Sequence, residues 1–171
     1  MDNYTIKFLS TPKDISIKLN ASKSESNRLI IIKALAKEEI EIKNLSNAND
    51  TLLLKDLVDN NLSKIWDAED AGTTMRFLTS YLSLKKDNVL LTGTDRMKKR
   101  PIKVLVDALN KIGATISYQG EEGYPPLKIQ RKIIENNNKV EIRGDVSSQY
   151  ISSLLLIAPK LKDGIQINII K

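Results

Sequence analysis

The chain has 171 residues, a formal net charge of +6, and neither cysteine nor histidine. Because those two residue types are missing, the sequence excludes disulfides, cysteine nucleophiles, Ser-His-Asp triads and the usual zinc sites. Any proton transfer must fall to Lys, Asp, Glu or Tyr. The positive charge favours an anionic partner, which is either a nucleic acid or a smaller polyanion.

The first third of the chain predicts a mixture of short strands and helices. Alternating apolar residues predict strands at residues 4–9, 15–19 and 39–43. Helical spacing predicts one helix at about 24–36 and a second that begins at Asn49 or Asp50 and ends near Val58. A brief strand at 64–66 then completes a first, short unit.

The middle of the chain predicts a complete β-α-β-α-β-β unit. Its elements are a helix at about 73–84, a strand at 88–92, a helix at about 101–112, and strands near 115–118 and 127–130. We expect Pro101 in the first turn of the 101–112 helix and Gly113 as its C-terminal cap. A third unit contains only a strand at 139–143, a helix at about 148–158 and a strand at 165–170. We therefore expect a piece of a longer α/β protein, truncated in its third repeat.

The stretch from Ser22 to Arg28 has the pattern of an anion site. It lies between a strand pattern and a helix pattern, and the N–H groups at a helix start attract anions. Lys23 supplies a charge and Ser24 a hydroxyl, while Arg28 follows one turn later and can hold an oxyanion with two parallel bonds. Ser22 and Glu25 also form a capping box, which needs no ligand.

Two later helix starts repeat this pattern, at Gly72-Thr73 and at Ser147-Ser148-Gln149. Helix capping alone explains Ser, Thr and Gly. It does not explain Arg76, or Arg100 before the predicted 101–112 helix, because a cation there opposes the helix dipole by a few tenths of a kcal/mol. We therefore predict one anion site shared by several helix starts.

Two residues near these starts have open interpretations. Gly72 is explained either by turn geometry or by a ligand that approaches the backbone so closely that a Cβ would clash. Asp70 is unexpected beside an anion, and it either caps the helix or holds a nearby base in place.

Five ordered segments resemble the 5-enolpyruvylshikimate-3-phosphate synthase family, and together they cover nearly the whole chain. They are residues 22–28, 71–76, 91–101 with Arg96 and Arg100, 124–127 and 146–149. That family builds each of two domains from three β-α-β-α-β-β units. The resemblance implies that residues 1–20 begin one domain and that residues 21–171 form most of the other.

The resemblance also implies an enzyme, 3-phosphoshikimate 1-carboxyvinyltransferase of the shikimate pathway of aromatic amino acid biosynthesis. It transfers the enolpyruvyl group of phosphoenolpyruvate to the 5-hydroxyl of shikimate 3-phosphate and releases phosphate. The family needs no metal or organic cofactor and is the target of glyphosate. We expect a cytoplasmic protein that is monomeric at full length and binds small phosphorylated substrates and not nucleic acid. We expect no membrane partner, since no run approaches the ~18 apolar residues of a membrane span.

Site residues are carried over from the matching segments. The resemblance assigns Lys23 a catalytic role. It implies shikimate 3-phosphate contacts from Ser24, Arg28, Thr73, Ser147, Ser148 and Gln149. It implies phosphoenolpyruvate contacts from Lys23, Gly72, Arg100 and Gln149.

The chain departs from the family pattern at Asp70, where the family usually has Asn, at Phe77, where Pro is frequent, and at Ala21, where Gly is common. The acidic residues that move protons in this family come from its second half. We therefore expect this chain alone to bind its ligands weakly and to be inactive.

Two alternatives have different chemistry. The sister transferase that acts on UDP-N-acetylglucosamine shares the fold but typically has a reactive cysteine, which this chain lacks, and Ser147-Ser148-Gln149 fits the shikimate enzyme better. A basic α/β module that binds nucleic acid would fit the high isoelectric point and predicts strongly salt-dependent binding.

Overall fold

A computed structural model describes residues 4–5, 7, 14, 16–60, 62–85, 88–130 and 137–170. The strand predicted at 4–9 lies largely outside these ranges. The strand predicted at 15–19 is wrong for residues 16–19, which are exposed and belong to no strand. A strand needs a neighbour to accept and donate its backbone hydrogen bonds, and no described strand pairs with this segment.

The first unit consists of two helices, α1 (Lys23–Leu35) and α2 (Asn49–Asn60), which confirms both predictions. The Ser22 hydroxyl caps α1 by accepting a hydrogen bond from the N–H of Glu25 at 3.3 Å. The helices contact each other through buried polar groups as well as apolar ones, since Thr51 donates to the Asn27 side-chain oxygen at 2.7 Å. This bond satisfies the Thr51 hydroxyl and the Asn27 side-chain oxygen, whereas the Asn27 side-chain NH₂ group is buried without a partner among the described residues.

The strand predicted at 39–43 is wrong. Ile40 and Ile42 are partly buried while their neighbours are exposed, so the alternation does reflect burial. However, no described strand forms a ladder with this segment, and Asn44 then adopts a positive φ of 56°. Period-two burial therefore occurs here without a sheet.

The second unit forms a four-stranded sheet covered by helices, and its order is β-α-β-α-β-β as predicted. Its elements are β1 (Ile65–Asp67), α3 (Gly72–Ser83), β2 (Val89–Thr92), a 3₁₀ turn (Met97–Lys99), α4 (Lys103–Lys111), β3 (Thr115–Tyr118) and β4 (Leu127–Gln130). The strand order is β1-β2-β4-β3. β1 pairs parallel with β2, and the other pairs are antiparallel. β1 therefore belongs to the second unit and does not complete the first.

Helix α4 begins two residues later than predicted. Pro101 precedes the helix, because Arg100 has an extended backbone and the N–H of Ile102 donates to the carbonyl of Gly123 at 2.8 Å. That long-range bond holds residues 100–102 outside the helix. The prediction that Gly113 caps the C-terminus of this helix is confirmed, because Gly113 follows the helix with a φ of 103°.

The third unit has the predicted β-α-β order. It consists of β5 (Lys139–Arg143), α5 (Ser148–Ile157), a 3₁₀ turn (Ala158–Lys160) and β6 (Gln166–Ile170). β5 and β6 pair in parallel as a two-stranded sheet. Because β1 and β2 of the second unit are also parallel, the third unit repeats the first half of the second.

Helix α3 lies at the centre of the core. Every residue of this helix is buried except Arg76, and it contacts α1, α2, α4, α5 and the sheet. Fully burying a side chain such as Leu78 contributes about 1.5–3 kcal/mol. Trp66 is buried beside Tyr81, as expected for a core residue. The central position of α3 sets the location of its N-terminus, which is where the candidate site lies.

Candidate functional site

The N-terminus of α3 has no side-chain cap. Ala71 occupies the cap position and cannot accept a hydrogen bond through its side chain. The first N–H groups of a helix have no partner inside the helix, and they carry the positive end of its dipole. This buried helix start therefore favours an anion.

Arg100 lies against this helix start and not, as the sequence predicted, at the start of α4. A Cβ built on Gly72 would lie 2.5 Å from one terminal nitrogen of the Arg100 guanidinium and 2.9 Å from its central carbon. Gly72 has no positive φ, so turn geometry does not explain it. The group that lies against the Gly72 backbone is the Arg100 side chain. The close approach of a ligand to Gly72 stays a prediction. A cation at the positive end of a helix dipole is unfavourable without an anion nearby.

Arg28 connects three helices. Its guanidinium donates to the carbonyl of Ser24 in α1 at 2.7 Å and to the hydroxyl of Ser152 in α5 at 3.2 Å. It also lies 5.6 Å from the centre of the Phe77 ring in α3. Ser152 is a contact that the sequence reasoning missed, although it follows Ser148 by one helical turn and so shares its helix face.

Arg76 and Gln149 form a second connection, between α3 and α5. The Arg76 guanidinium donates to the side-chain oxygen of Gln149 at 2.8 Å. It also lies 5.4 Å from the centre of the Tyr150 ring. The Nε of Arg76 is buried and has no hydrogen-bond partner among the described residues. The sequence pattern drew attention to Arg76 but gave it no role.

Three hydroxyls occupy equivalent places at the three helix starts. Ser24, Thr73 and Ser148 lie in the first turns of α1, α3 and α5, and within the described ranges their hydroxyls have no hydrogen-bond partner. Ser147 differs from them, because its hydroxyl caps α5 by accepting from the N–H of Gln149 at 3.3 Å. For Ser147 the structure therefore shows a cap.

Lys23 forms an ion pair that the sequence reasoning missed. Its ammonium lies 3.0 Å from a carboxylate oxygen of Asp50, which belongs to the first turn of α2. The backbone carbonyl of Asp50 accepts from the hydroxyl of Thr74 at 3.2 Å, which ties α2 to the start of α3. No motif indicated this pair, because the two residues lie 27 positions apart.

Asp70 has neither of the roles considered for it. Its carboxylate accepts a hydrogen bond from the hydroxyl of Thr94 at 2.5 Å. It does not cap α3, and no base in the described part of the chain pairs with it. Asp70 therefore fastens the start of α3 to the loop that follows β2.

The three arginines of the site have no negatively charged partner among the described residues. Arg28, Arg76 and Arg100 have no carboxylate partner within the described ranges. Two of them are partly buried, where charges are commonly paired because desolvation is costly. Unpaired guanidinium groups, unbonded hydroxyls and an uncapped helix start together form a site suited to a phosphorylated or carboxylated anion.

A sequence model of the family described as EPSP synthase (3-phosphoshikimate 1-carboxyvinyltransferase) matches residues 56–171. This is more than half of the chain. The chain belongs to the EPSP synthase family. Two curated relatives are the 3-phosphoshikimate 1-carboxyvinyltransferases of Bacteroides fragilis (strain YCH46) and Cupriavidus necator. The first is 46% identical over 94% of this chain and 39% of its own length, and the second is 36% identical over 84% and 38%.

The fold is also that of EPSP synthases. An EPSP synthase structure from Acinetobacter baumannii superposes with a TM-score of 0.73 at 22% identity, over 83% of this chain and 37% of that one. The chain thus spans about two fifths of the length of its relatives. In the described part of the chain, no helix has both the length and the apolar character needed to cross a membrane.

Proposed function

We propose that this chain forms part of the substrate-binding surface of a cytoplasmic enolpyruvyl transferase. The reaction transfers the enolpyruvyl group of phosphoenolpyruvate to shikimate 3-phosphate. The observation that carries the proposal is a group of three arginines that have no carboxylate partner among the described residues. Arg28 belongs to α1, Arg76 belongs to α3, and Arg100 lies against the start of α3. Both substrates are phosphate esters, and a guanidinium binds such groups through charge-assisted bonds that are often bidentate. The curated relatives are 3-phosphoshikimate 1-carboxyvinyltransferases, which supports the same reaction.

The proposal assigns shikimate 3-phosphate to the α1 and α5 starts, together with Thr73 at the start of α3. Arg28 would neutralise its phosphate, and the unbonded hydroxyls of Ser24, Thr73 and Ser148 would bind its phosphate or ring oxygens. Ser147 would act through the capped helix start that it stabilises. Gln149 would contribute its side-chain NH₂ group, because its oxygen already accepts from Arg76 and a guanidinium can only donate.

The proposal assigns phosphoenolpyruvate to the α3 start. Arg100 and the uncapped N–H groups of α3 would bind its anionic oxygens, and Gly72 leaves the space that Arg100 occupies. Lys23 would place an ammonium beside the reacting group, where it can stabilise developing negative charge or transfer a proton. Gln149 would contact both ligands.

Calorimetric titration of shikimate 3-phosphate into this chain tests the proposal, with unphosphorylated shikimate as the negative ligand. We expect binding of the phosphorylated compound alone, weakened at least tenfold by Arg28→Ala and to a smaller degree by Ser148→Ala. Arg143→Ala is the matched control, because Arg143 is paired with Asp145 on the exposed end of β5. No binding by a chain that circular dichroism shows to be folded, or equal weakening by all three variants, would reject the assignment.

A further inference from the structure

Tyr150 lies between the two ligand regions and is assigned to neither. It follows Gln149 in α5 and is almost completely buried, with 1% of its surface exposed. Its hydroxyl donates to the backbone carbonyl of Pro101 at 2.6 Å, across 49 positions of the chain. A buried tyrosine hydroxyl normally finds such a partner. Here the partner is the residue next to Arg100.

The segment from Arg100 to Ile102 depends on a few specific bonds for its position. It belongs to no helix or strand. The N–H of Arg100 donates to the carbonyl of Met97 at 2.9 Å, and the N–H of Ile102 donates to that of Gly123. Proline has no N–H, so the carbonyl of Pro101 is its single polar backbone group. Tyr150 holds that group in place.

The other contacts of Tyr150 lead to the α5 side of the site. The Arg76 guanidinium lies over its ring, and the same guanidinium donates to the side-chain oxygen of Gln149. A continuous set of contacts therefore runs from Gln149 through Arg76 and Tyr150 to Pro101 and Arg100. The Arg100 guanidinium lies at the end of this set, against Gly72.

We propose that Tyr150 is a positioning residue for Arg100. Through the Pro101 carbonyl it fixes the backbone from which Arg100 reaches the start of α3, and it links that arginine to Gln149. The assignment of phosphoenolpyruvate to Arg100 rests on the proposed function. The positioning role of Tyr150 does not rest on the proposed function, because it follows from contacts within the chain.

Tyr150→Phe isolates this role. Phenylalanine keeps the ring beneath Arg76 and nearly all of the buried volume, but it removes the hydroxyl and leaves the Pro101 carbonyl without its partner. Tyr118→Phe is the matched control, because the Tyr118 hydroxyl is buried and has no hydrogen-bond partner among the described residues. Thermal melts of both variants establish that they fold.

The first measurement needs no ligand. Relaxation of the Arg100 Nε–H group by nuclear magnetic resonance reports how rigidly the guanidinium is held. We expect its order parameter to fall in Tyr150→Phe and to stay at the wild-type value in Tyr118→Phe. An unchanged order parameter in a folded Tyr150→Phe chain would overturn the proposal.

The second measurement is calorimetric binding of phosphoenolpyruvate and, separately, of shikimate 3-phosphate. Loss of one neutral hydrogen bond corresponds to about 2- to 12-fold in affinity. We expect Tyr150→Phe to weaken phosphoenolpyruvate binding in this range and to leave shikimate 3-phosphate binding within about twofold. In an Arg100→Ala background, Tyr150→Phe should have no further effect on phosphoenolpyruvate.

Two results distinguish a positioning role of Tyr150 from a purely structural one and from failure of the proposed function. Equal weakening of both ligands, persisting in the Arg100→Ala background, would mean that Tyr150 has only a structural role and would overturn the proposal. If the wild-type chain binds neither ligand, the proposed function fails, and the relaxation measurement alone then decides whether Tyr150 positions Arg100.

Discussion

Cations in two regions of this molecule have opposite surroundings. Near α4 and β5, Lys103 and Arg143 are paired with carboxylates. Lys103 donates to Glu122, which holds the pKa of Lys103 above and that of Glu122 below its usual value. Arg143 donates to both carboxylate oxygens of Asp145. At the starts of α1, α3 and α5, in contrast, Arg28, Arg76 and Arg100 have no carboxylate partner within the described ranges.

The difference distinguishes the three arginines of the candidate site from Lys103 and Arg143. It does not apply to Lys23, which is a predicted site residue although it is paired with Asp50 at 3.0 Å. Exposed pairs such as Lys103 with Glu122 contribute little to stability and leave no charge for a ligand. The unpaired arginines cost desolvation and repulsion in the free chain, and a bound anion would offset that cost. The net charge of +6 does not distinguish these arginines from the paired cations, whereas the structure shows which of them have carboxylate partners among the described residues.

The largest expected effect comes from replacing an unpaired arginine by an apolar side chain of similar length. Arg76→Met should lower shikimate 3-phosphate affinity more than tenfold, because Gln149 loses the donor that orients its amide. The free energy of unfolding of the free chain should stay the same or rise by up to about 1 kcal/mol, because a partly buried cation with an unbonded Nε is removed.

Calorimetry and urea unfolding measure the two quantities. Arg143→Met is the paired-cation control, and we expect it to leave ligand affinity unchanged. Two results together would contradict the contrast between the two regions. They are strong destabilisation of the free chain by Arg76→Met, and a loss of ligand affinity in Arg143→Met equal to that in Arg76→Met.

A smaller effect is expected from Gly72→Ala. The new methyl would occupy the space of the Arg100 guanidinium, and a long side chain can move away at little cost in stability. We expect phosphoenolpyruvate affinity to fall about tenfold, while the free energy of unfolding falls little or rises slightly, because alanine favours the helix. Gly120→Ala is the control, since its nearest neighbour atom would lie 3.9 Å away. Unfolding of Gly72→Ala with unchanged affinity in the folded fraction would show that Gly72 has a packing role only.

The smallest effect concerns Tyr118, which lies outside the site. Burial raises its pKa to about 12, against about 10 in the unfolded chain. The unfolded state therefore loses this proton first as the pH rises, and the contribution of Tyr118 to stability is complete below pH ~10 and is lost between about 10 and 12.

Tyr118→Phe should remove the latest step of the tyrosinate absorbance titration. It should leave the free energy of unfolding near neutral pH unchanged or slightly higher, because an unbonded buried hydroxyl disappears. A titration in which all five tyrosines ionise together near their usual pKa would contradict the burial of this group.

The sequence predicted most of the helices and the second-unit strands, because each has a local signal. Ser22 caps α1, Gly113 ends α4, and apolar spacing identified the faces of α3 and α5. The failures at 15–19 and 39–43 share one cause. A strand needs a partner, and the partner is a property of the whole fold. Alternation corresponds to alternating burial at 39–43, whereas residues 16–19 are exposed throughout.

The sequence predicted which helix starts form the candidate site, and their part in ligand binding stays a prediction. The placement of Arg100 was not predictable, because residues 100–102 are held outside α4 by a bond from Ile102 to Gly123. The pairs Lys23–Asp50 and Tyr150–Pro101 connect distant positions, and no local pattern encodes such contacts. The contact of Gly72 with the Arg100 side chain, 28 residues away in sequence, is likewise not encoded by a local pattern.

The central claim is that the three helix starts with unpaired arginines bind the phosphorylated ligand. Amide chemical-shift mapping during a titration with shikimate 3-phosphate tests it most directly, since each region reports separately. We expect saturable shifts concentrated at residues 23–28, 72–76 and 148–152, with little change at 103–107 and 139–145. Shifts spread over the paired cations, or absent from the helix starts while the ligand binds, would contradict the account.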